Sequence, residues 1–424
     1  MTKLSTSPVL GTADRDPQEF LRRQYLFSAR RRVCQRFGYE EYLTPLVEDK
    51  ALYEAKSGED VGGTELTRIT NREGELTNLV IRPELTPSVT RLVAKTYRQR
   101  PKPIKRFAIP NFYRNEKPQK GRNREFWQLN IDIFGSTHSH ADCELMQMAI
   151  TIMRELNAQD HMWTLRINDR ILLNALLLHY APTINPSLIA RTLDKRTKRS
   201  LTDNLSALRN CGCDETAITV LSQWMASTSL TDVLSLLPPS SHDRAHHILS
   251  LISTVQTITA CQSVVFDPSI IRGFDYYDGI VFEMTDNHPS FGRSLLGGGR
   301  YNGLGGLFGI DDLPALGLGS GDEPMMIFLD NRGLLPKTPE KNIAYFPWLQ
   351  DVSFQDYQFA LHKARSHGYN CLGTFEQQKF PKIFSEGEKR GCRDVMILGP
   401  DDVTHRTIMI KNLSTGIQTS RSYA

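Results

Sequence analysis

Apolar residues recur along this chain at two spacings, and each spacing predicts a different kind of element. Behind a helix start at Asp16 and Pro17, apolar residues return at helical spacing until the helix stops at Gly38. The next segment, Tyr39–Glu48, has the pattern of an extended strand interrupted by Pro45. Proline in a strand is typical of an edge or of a contact between subunits, and the residues alone leave both open.

The segment Glu125–Phe134 alternates as a strand with two different faces. The apolar face consists of Trp127, Leu129, Ile131 and Ile133. The opposite face consists of Phe126, Gln128, Asn130, Asp132 and Phe134. One face is therefore predicted to be core, and the other a polar floor.

A hairpin is predicted to bring further polar residues beside this floor. Arg114 and Glu116 share one face by the same period of two, so pairing with Glu125–Phe134 would set them near the amide and aspartate there. The intervening loop carries the cations Lys117, Lys120, Arg122 and Arg124. Such a loop is either a solvated hairpin tip or a basic, flexible contact for a phosphate-rich ligand.

Glu84 is predicted to lie at a corner between a strand and a helix. The strand covers Thr77–Pro83, and the helix starts at Thr86 and Pro87. Such corners present side chains into clefts, although a carboxylate in the first helical turn also interacts favourably with the helix dipole. Both explanations of Glu84 stay open at this level.

The segment Ser269–Met284 places polar residues inside a pattern that otherwise predicts a buried strand. The polar residues are Arg272, Asp275, Tyr276 and Tyr277. An unpaired buried charge is costly, so Arg272 is either part of a structural ion pair or faces a polar cleft.

The remaining chain shows a helical pattern at about Asn168–Cys261 and a glycine-rich stretch at Leu295–Gly309. The helical part contains a basic patch, either a solvated face or an RNA contact, at Arg191, Lys195, Arg196, Lys198 and Arg199. Leu335–Lys341 has the composition of a linker, and the residues after it alternate between strand and helix patterns. The end of the chain is therefore predicted to be a small α/β domain.

Composition narrows the class of protein without identifying it. The chain has 424 residues, of which 40% are hydrophobic, and a formal net charge of +4, which permits a polyanionic partner but does not require one. The seven cysteines are scattered and mostly in apolar surroundings, as expected for reduced thiols. With neither a cleavable signal nor an apolar run long enough to span a bilayer, we expect a cytoplasmic protein with no membrane partner.

Several blocks together resemble the class II aminoacyl-tRNA synthetases, specifically the histidyl-tRNA synthetase family. FGYEEYLTPLVE resembles motif 1, and YRNE with FWQLNIDIFG resembles motif 2. RPELTP, RGFDYYDGIVFE and GGGRYNGL resemble blocks of the histidine enzymes. The resemblance implies an α+β fold, with an antiparallel catalytic sheet flanked by helices, a helical insertion and a small C-terminal α/β domain. The implied domains are a catalytic domain at 1–168 and 263–334, the insertion at 169–262, and an anticodon-binding-like domain at 341–424.

The resemblance also implies a reaction and the residues that perform it. Histidine would attack the α-phosphate of ATP, with Mg²⁺ bound by the nucleotide and no dedicated metal site, and tRNA(His) would then accept the histidyl group. The implied ATP-binding residues are Arg114, Glu116, Arg122, Phe126 and Arg272. The implied histidine-binding residues are Glu84, Leu85, Thr86, Gln128, Asp132, Arg272, Tyr276, Tyr277 and Tyr301. Arg114, Arg272 and Gln128 would be catalytic, and the motif 1 region containing Pro45 would form a homodimer.

One position departs from the family pattern. Motif 3 usually ends in an arginine that grips the γ-phosphate, whereas this chain has Pro324 after Glu323. We expect an active enzyme in which Arg300 or the basic motif 2 loop compensates.

Two alternatives to a ligase stay open. One is a histidine-sensing relative such as the regulatory subunit of ATP phosphoribosyltransferase, which typically lacks a C-terminal domain. The other is a tRNA-sensing module, normally part of a longer chain with a kinase.

Overall fold

The computed structural model describes residues 4–55, 60–194, 201–271, 276–289, 291–336 and 341–423. The chain divides into two compact units, Met1–Leu335 and Pro336–Ala424. The helices of the first unit are α1 (Pro17–Arg36), α2 (Ala51–Glu54), α3 (Thr86–Ala94), α4 (Ser139–Glu155), α5 (Arg170–Tyr180), α6 (Pro186–Asp194), α7 (Leu201–Asn210), α8 (Glu215–Ala226), α9 (His242–Thr259) and α10 (Asp322–Asn331). Its strands are β1 (Glu40–Glu41), β2 (Val47–Asp49), β3 (Thr67–Thr70), β4 (Leu76–Ile81), β5 (Ile104–Ala108), β6 (Asn111–Tyr113), β7 (Glu125–Phe134), β8 (Trp163–Asp169), β9 (Val264–Phe266), β10 (Ile280–Asp286), β11 (Ser294–Arg300) and β12 (Ala315–Gly321).

A large sheet organises the first unit. Within the described ranges it has nine strands in the order β1-β5-β7-β12-β11-β10-β8-β9, and β6 pairs with β7. The pairings from β5 through β8 are antiparallel, and the outer pairings, β1 with β5 and β8 with β9, are parallel. An antiparallel sheet can bury one face against helices and leave the other open to a ligand. This is the arrangement that the sequence predicts.

The two predicted faces of β7 are confirmed. Leu129, Ile131 and Ile133 lie in the main hydrophobic core together with residues of α1 and α4. Phe126 and Phe134 lie in smaller clusters on the opposite face. Because side chains alternate along a strand, this single element separates the core from the polar floor.

The strand predicted at Tyr39–Glu48, interrupted by Pro45, is two short strands that belong to different sheets. β1 pairs with β5 in the large sheet, whereas β2 pairs with β4 in a separate sheet of order β2-β4-β3. The chain passes between the two sheets at Thr44 and Pro45, whose carbonyl oxygens accept hydrogen bonds from Arg82 Nη1 at 2.8 and 3.3 Å. Proline cannot donate to a strand ladder, so the crossing occurs where Pro45 interrupts the pattern.

The prediction of a strand throughout Ser269–Met284 was wrong. In the described part of this segment, strand pairing begins only at Ile280. A turn at Pro268 and Ser269 begins the segment, and the carbonyl oxygens of Pro268 and Ile270 accept from the Asn168 side chain at 3.1 Å each. Arg272 and Asp275 lie outside the described residues. The Asn168 side-chain amide of β8 therefore holds this turn in place.

Buried ionic contacts attach α1 to the end of β12 and the start of α10. Arg23 is ion-paired with Asp322, whose Oδ1 also accepts from the backbone N–H of Trp127 at 3.0 Å. Fully buried Arg30 donates to Ser320 Oγ at 2.7 Å. Burial raises the pKa of the Asp322 carboxyl to about 6. These contacts fix the start of α10 relative to β7.

Helices α5 to α9 lie in the chain between β8 and β9 and share the main core with the sheet. The side chains of the predicted basic patch at 191 and 195–199 lie outside the described ones. No helix in the described part of the chain is long and apolar enough to cross a membrane.

The second unit has its own sheet and core. Its elements are β13 (Lys341–Phe346), α11 (Phe354–Ser366), β14 (Cys371–Gly373), α12 (Ile383–Lys389), β15 (Cys392–Ile397), α13 (Pro400–His405), β16 (Thr407–Asn412) and β17 (Gln418–Ser422). The strand order is β14-β13-β15-β16-β17, with the first three strands parallel and the last two antiparallel. The pattern of the sequence indicated most of these elements but not α13 or β17. Both are short and largely exposed, so they carry little hydrophobic periodicity.

Candidate active site

Asp132 is a buried carboxylate on the polar face of β7. Its Oδ1 accepts a hydrogen bond from the Tyr301 hydroxyl at 2.6 Å, while its Oδ2 is buried and has no hydrogen-bond partner among the described residues. Burial raises the pKa of Asp132 to about 7, although the hydrogen bond from Tyr301 lowers it. A buried oxygen without a partner is costly, so Oδ2 is positioned to accept a hydrogen bond from a ligand.

A second acid lies near Asp132 at the start of α3. Glu84 is buried, and its Oε2 accepts from the Tyr276 hydroxyl at 2.9 Å. The Tyr276 ring lies 4.9 Å from the ring of Tyr277 and 5.8 Å from that of Tyr301, measured between centroids. Burial is the largest cause that raises the pKa of Tyr276 and Tyr301 well above the usual value, so both phenols stay protonated. The result is a tyrosine-walled pocket containing two carboxyl groups.

Glycines of β12 form the floor next to these acids. A Cβ atom on Gly317 would lie 2.4 Å from Asp132 Oδ1, and one on Gly319 would lie 2.5 Å from Gln128 Nε2. Contacts this short do not occur with real Cβ atoms, so a side chain at Gly317 would displace the Asp132 carboxylate, and one at Gly319 would displace the end of the Gln128 side chain. The floor is therefore backbone, and Asp132 and Gln128 stand above it.

The other end of the β7 face is aromatic and cationic. Phe126 stacks on Phe112 at 5.6 Å between ring centroids, and the Arg114 guanidinium carbon lies 5.1 Å from the Phe126 centroid. Arg114 Nε donates to the carbonyl of Pro83 at 2.9 Å, which orients its guanidinium group. A flat ring with a planar cation above it is suited to binding a base.

Arginines of the loop after β6 contact Glu116 at the start of the same loop. Glu116 is buried and ion-paired with Arg122, and its carbonyl accepts from Arg124 Nε at 3.0 Å. Burial raises the pKa of Glu116, against the opposing effect of Arg122. A backbone bridge between Gln119 and Arg122 closes the tip. The basic loop is thus ordered against the aromatic end of the site.

The two ends of the site lie on one strand. Phe126, Gln128 and Asp132 point to the same face of β7, and the six-residue step from the first to the last covers about 20 Å. That length suits an extended ligand with a flat ring at one end and a hydrogen-bonding group at the other.

Comparison with known proteins agrees with this geometry. The profile of the histidyl-tRNA synthetase family matches residues 11–320. The chain is 34% identical to the histidine–tRNA ligase of Leptospira biflexa, over an alignment covering 100% of this chain and 96% of that protein. The chain belongs to the histidyl-tRNA synthetase family.

Solved structures support the same fold. The histidyl-tRNA synthetase of Nostoc sp. PCC 7120 superposes with a TM-score of 0.78 at 23% identity, covering 99% of this chain and 97% of that one. A Bacillus halodurans protein, described as an ATP phosphoribosyltransferase regulatory subunit/histidyl-tRNA synthetase, superposes with a TM-score of 0.75 at 20% identity, covering 93% and 99%. The predicted family and the predicted α+β synthetase fold are confirmed.

Most of the site residues predicted for this histidyl-tRNA synthetase family member fall into two groups. The pocket of Asp132 gathers Glu84, Thr86, Asp132, Tyr276, Tyr277 and Tyr301. The aromatic end gathers Arg114, Glu116, Arg122 and Phe126. Gln128 lies between the groups, and Leu85 is fully buried in the cluster beneath Phe126. Arg272 lies outside the described residues.

Sequence reasoning missed residues that shape the pocket. In the sequence, Gly317 and Gly319 belong to a second glycine cluster at Leu316–Gly321, and only their spatial neighbours reveal the close approach. Tyr42 was missed altogether. Its ring packs against the clusters at both ends of the site, and its hydroxyl is buried without a partner among the described residues. The residues on either side of Tyr42 are exposed, so no pattern around it indicated that its hydroxyl is buried.

Arg300 is not the replacement for the motif 3 arginine. Its Nε and Nη2 donate to the Asp142 carboxylate at 2.8 and 2.6 Å. Its Nη1 donates to the carbonyl oxygen of Ser136 at 2.9 Å, and Nη2 also donates to the carbonyl oxygen of His138 at 3.1 Å. A buried arginine with these partners has a structural role, in which it joins β11 to the start of α4.

Proposed function

We propose that this chain activates histidine with ATP to form histidyl-adenylate and then transfers the histidyl group to the 3′ end of tRNA(His). The observation that carries this proposal is the buried Asp132 Oδ2, which has no partner among the described residues. It stands at one end of a strand whose other end carries a ring and a guanidinium group. The family to which the chain belongs supports the same reaction.

Histidine is the amino acid that this pocket suits. Asp132 Oδ2 would accept from one imidazole nitrogen, with Tyr277 as the second partner of the ring. Glu84, Thr86 and Gln128 would hold the ammonium group, and Tyr276 and Tyr301 would line the pocket. Leu85, between Glu84 and Thr86 in the chain, would contribute to histidine binding from the cluster beneath Phe126. Substrates that leave the buried Asp132 oxygen unpaired would be rejected strongly.

ATP would occupy the aromatic end. Phe126 would stack on adenine and Glu116 would accept from its amino group. Arg122 would belong to the ATP site through its ion pair with Glu116, which holds that carboxylate in place. Mg²⁺ would bind together with ATP, through the phosphates. The described side chains of the loop are mostly cationic, which fits a metal held mainly by phosphate and water rather than by protein carboxylates.

The proposed chemistry requires no protein nucleophile. The histidine carboxylate would attack the α-phosphate in line, while Arg114 and Arg272 neutralise the charge that develops there and Gln128 keeps the amino acid in position. The assignment of Arg272 rests on the resemblance of its motif alone. Burial of the pocket excludes competing hydrogen bonds from water.

A regulatory role is the second candidate, because Pro324 removes a cation that ATP activation normally uses. Both roles are compatible with the fold, since the Bacillus halodurans protein on which the chain superposes is described by both names. The separate unit Pro336–Ala424 favours the ligase, because the regulatory subunit typically lacks a C-terminal domain. We propose that this unit contacts the anticodon region of tRNA.

Histidine-dependent exchange of labelled pyrophosphate into ATP tests the proposal without requiring the cognate tRNA. We expect exchange by the unaltered protein, loss of exchange in Arg272→Ala, and normal exchange in Arg154→Ala. Arg154 makes only a partly exposed ion pair with Asp160, so it is a matched change of arginine to alanine. Histidine binding without exchange in the unaltered protein would instead indicate the regulatory role.

We also propose a cytoplasmic homodimer formed through the motif 1 region. Apolar side chains lie exposed on and beside the small sheet, at Leu43, Leu46, Val47, Leu76 and Leu79. A cluster of this kind on a sheet that carries few strands is typical of an interface. All seven cysteines are free, which is compatible with a reducing compartment.

Leu79→Asp is expected to shift the protein from dimer to monomer, because a charge would be desolvated at the centre of the apolar surface. Sedimentation velocity at micromolar concentration measures the change. Ile258→Asp is the matched control, since Ile258 is 59% exposed on α9, outside this surface. A Leu79→Asp protein that sediments as the unaltered protein does would contradict the proposed interface.

A further inference from the structure

The start of α10 carries no cation for the terminal phosphates of ATP, and this inference rests on the proposed function. Pro324 occupies the first turn of α10, and its Cδ lies 3.4 Å from the position of a Cβ on Gly321. Ile327, one turn later, lies on the same face of the helix. The surface that a motif 3 arginine would cover is therefore apolar.

The nearby arginines in α1 and just before it do not fill this gap. Arg15 and Arg23 are both ion-paired with Glu323, and Arg23 also with Asp322. Arg30 is fully buried, and its Nη2 donates to Ser320 Oγ and the carbonyl of Gly321. A cation already committed to a carboxylate gains little from a phosphate.

The tip between β10 and β11 brings a different cation to this place. Phe291, at the tip, would lie 3.0 Å from a Cβ on Gly121 of the motif 2 loop, and Ile327 Cδ1 would lie 3.4 Å from the same atom. The loop therefore packs between the β10–β11 tip and the apolar face of α10. Arg293, two residues after Phe291, donates from Nη2 to Gln119 Oε1 of that loop at 2.9 Å.

Arg293 differs from its neighbours in its partners. Among the described residues it makes no ion pair with a carboxylate, and its one side-chain hydrogen bond there goes to a neutral amide; the side chain is partly exposed. Lys120, the other cation at this point, lies with Nζ 6.0 Å from the Phe291 centroid. An arginine with free donors can bind two phosphate oxygens at once, which a lysine cannot do with fixed geometry.

We propose that Arg293 binds the β- and γ-phosphates of ATP and thereby replaces the motif 3 arginine that Pro324 removes. The cation comes from the β10–β11 tip instead of α10, and Gln119 orients it toward the motif 2 loop. As the histidine carboxylate attacks the α-phosphate and the α–β bond breaks, Arg293 would stabilise the negative charge on the leaving pyrophosphate without contacting histidine.

Arg293→Ala tests this assignment through the form of nucleotide that is affected. We expect the KM for ATP in pyrophosphate exchange to rise about 30-fold, as for loss of a charged hydrogen-bonding pair, while AMP binding measured by calorimetry changes less than about twofold. The KM for histidine should stay unchanged. The double variant Arg293→Ala with Pro324→Arg should recover most of the lost ATP affinity, because it restores a cation at the usual place.

Gln119→Met distinguishes an effect of the Arg293 charge from an effect on the position of the motif 2 loop. It removes the hydrogen bond to Arg293 but keeps the guanidinium group, so we expect a much smaller rise in the KM for ATP than in Arg293→Ala. Equal losses in the two variants, or equal losses of ATP and AMP binding, would show that Arg293 only supports the loop. A larger effect from Lys120→Ala would also overturn the assignment.

Failure of the Arg293 assignment can be distinguished from failure of the ligase proposal. If the unaltered protein shows no exchange, ligase activity fails, and calorimetry of ATP and AMP with the same variants still tests Arg293. If the unaltered protein exchanges pyrophosphate and Arg293→Ala does so with an unchanged KM for ATP, the inference alone fails.

Discussion

Asp132→Asn is expected to lower kcat/KM for histidine in pyrophosphate exchange by about 100-fold or more, as for a site that leaves a buried polar group mispaired. Asparagine keeps the shape and can still accept from Tyr301 at Oδ1, where the hydrogen bond is 2.6 Å long. Its amide nitrogen, however, would face the imidazole with a donor in place of an acceptor. The KM for ATP should change little, because Phe126 and Arg114 lie at the other end of β7.

The control for this change is Tyr301→Phe, which removes the hydroxyl but leaves the Asp132 carboxylate. We expect a smaller loss, because Oδ2 can still accept from histidine. An Asp132→Asn enzyme with normal kcat/KM for histidine would contradict the placement of the imidazole beside Asp132.

The same variant should also alter how stability depends on pH. The folded pKa of Asp132 is raised to about 7 by burial, so above the pKa of the unfolded chain the folded state holds a proton that the unfolded state releases. The stability of the unaltered protein therefore falls as pH rises toward 7. Asparagine does not titrate, so the stability of Asp132→Asn relative to the unaltered protein should increase by roughly 2–3 kcal/mol between pH 5 and pH 8.

Urea unfolding at pH 5 and pH 8 measures this difference. Asp160→Asn is the control, because a hydrogen bond from Arg154 lowers the pKa of Asp160 and its titration lies below this pH window. Its stability change should be the same at both pH values. If the stability change caused by Asp132→Asn is the same at both pH values, the pKa of the Asp132 carboxyl in the unaltered protein is not raised into this window.

Arg114→Ala is expected to reduce kcat for histidine-dependent exchange by about 10²–10³-fold, the cost of removing one preorganised cation from a developing negative charge. Arg114 is held for this task by the carbonyl of Pro83 and the ring of Phe126. It makes no ion pair among the described side chains, so its charge is available to a phosphate. Histidine binding by calorimetry should stay within a few-fold of normal.

Arg154→Ala again supplies the matched control, and Arg114→Lys tests geometry. A lysine restores charge but not the planar fork, so we expect only partial recovery. Loss of histidine binding in Arg114→Ala equal to the loss of kcat would indicate collapse of the loop rather than loss of a catalytic cation. Equal thermal stability of the two alanine variants would exclude such a collapse.

The sequence by itself determined the local elements of this protein. The alternation at Glu125–Phe134 predicted both faces of β7, and Asp16 with Pro17 predicted the start of α1, where the Asp16 carboxylate accepts from the backbone at Gln18 and Glu19. The ordered motif blocks led to the synthetase family and to most candidate site residues. These features are local, because each depends on residues that are close together in the chain.

Only the tertiary structure decided which distant residues meet and which groups are already paired. Tyr301 and Asp132 are 169 positions apart, and Arg300 and Asp142 are 158 positions apart. No periodicity reports such pairs, so the sequence predicted a possible phosphate role for Arg300, although the structure buries it in an ion pair. The same limit hid the close approach of Gly317 to Asp132, and of Arg293 to the loop beside Pro324. A charged side chain acts on a ligand only if the fold leaves it without a competing partner, and folding alone decides that.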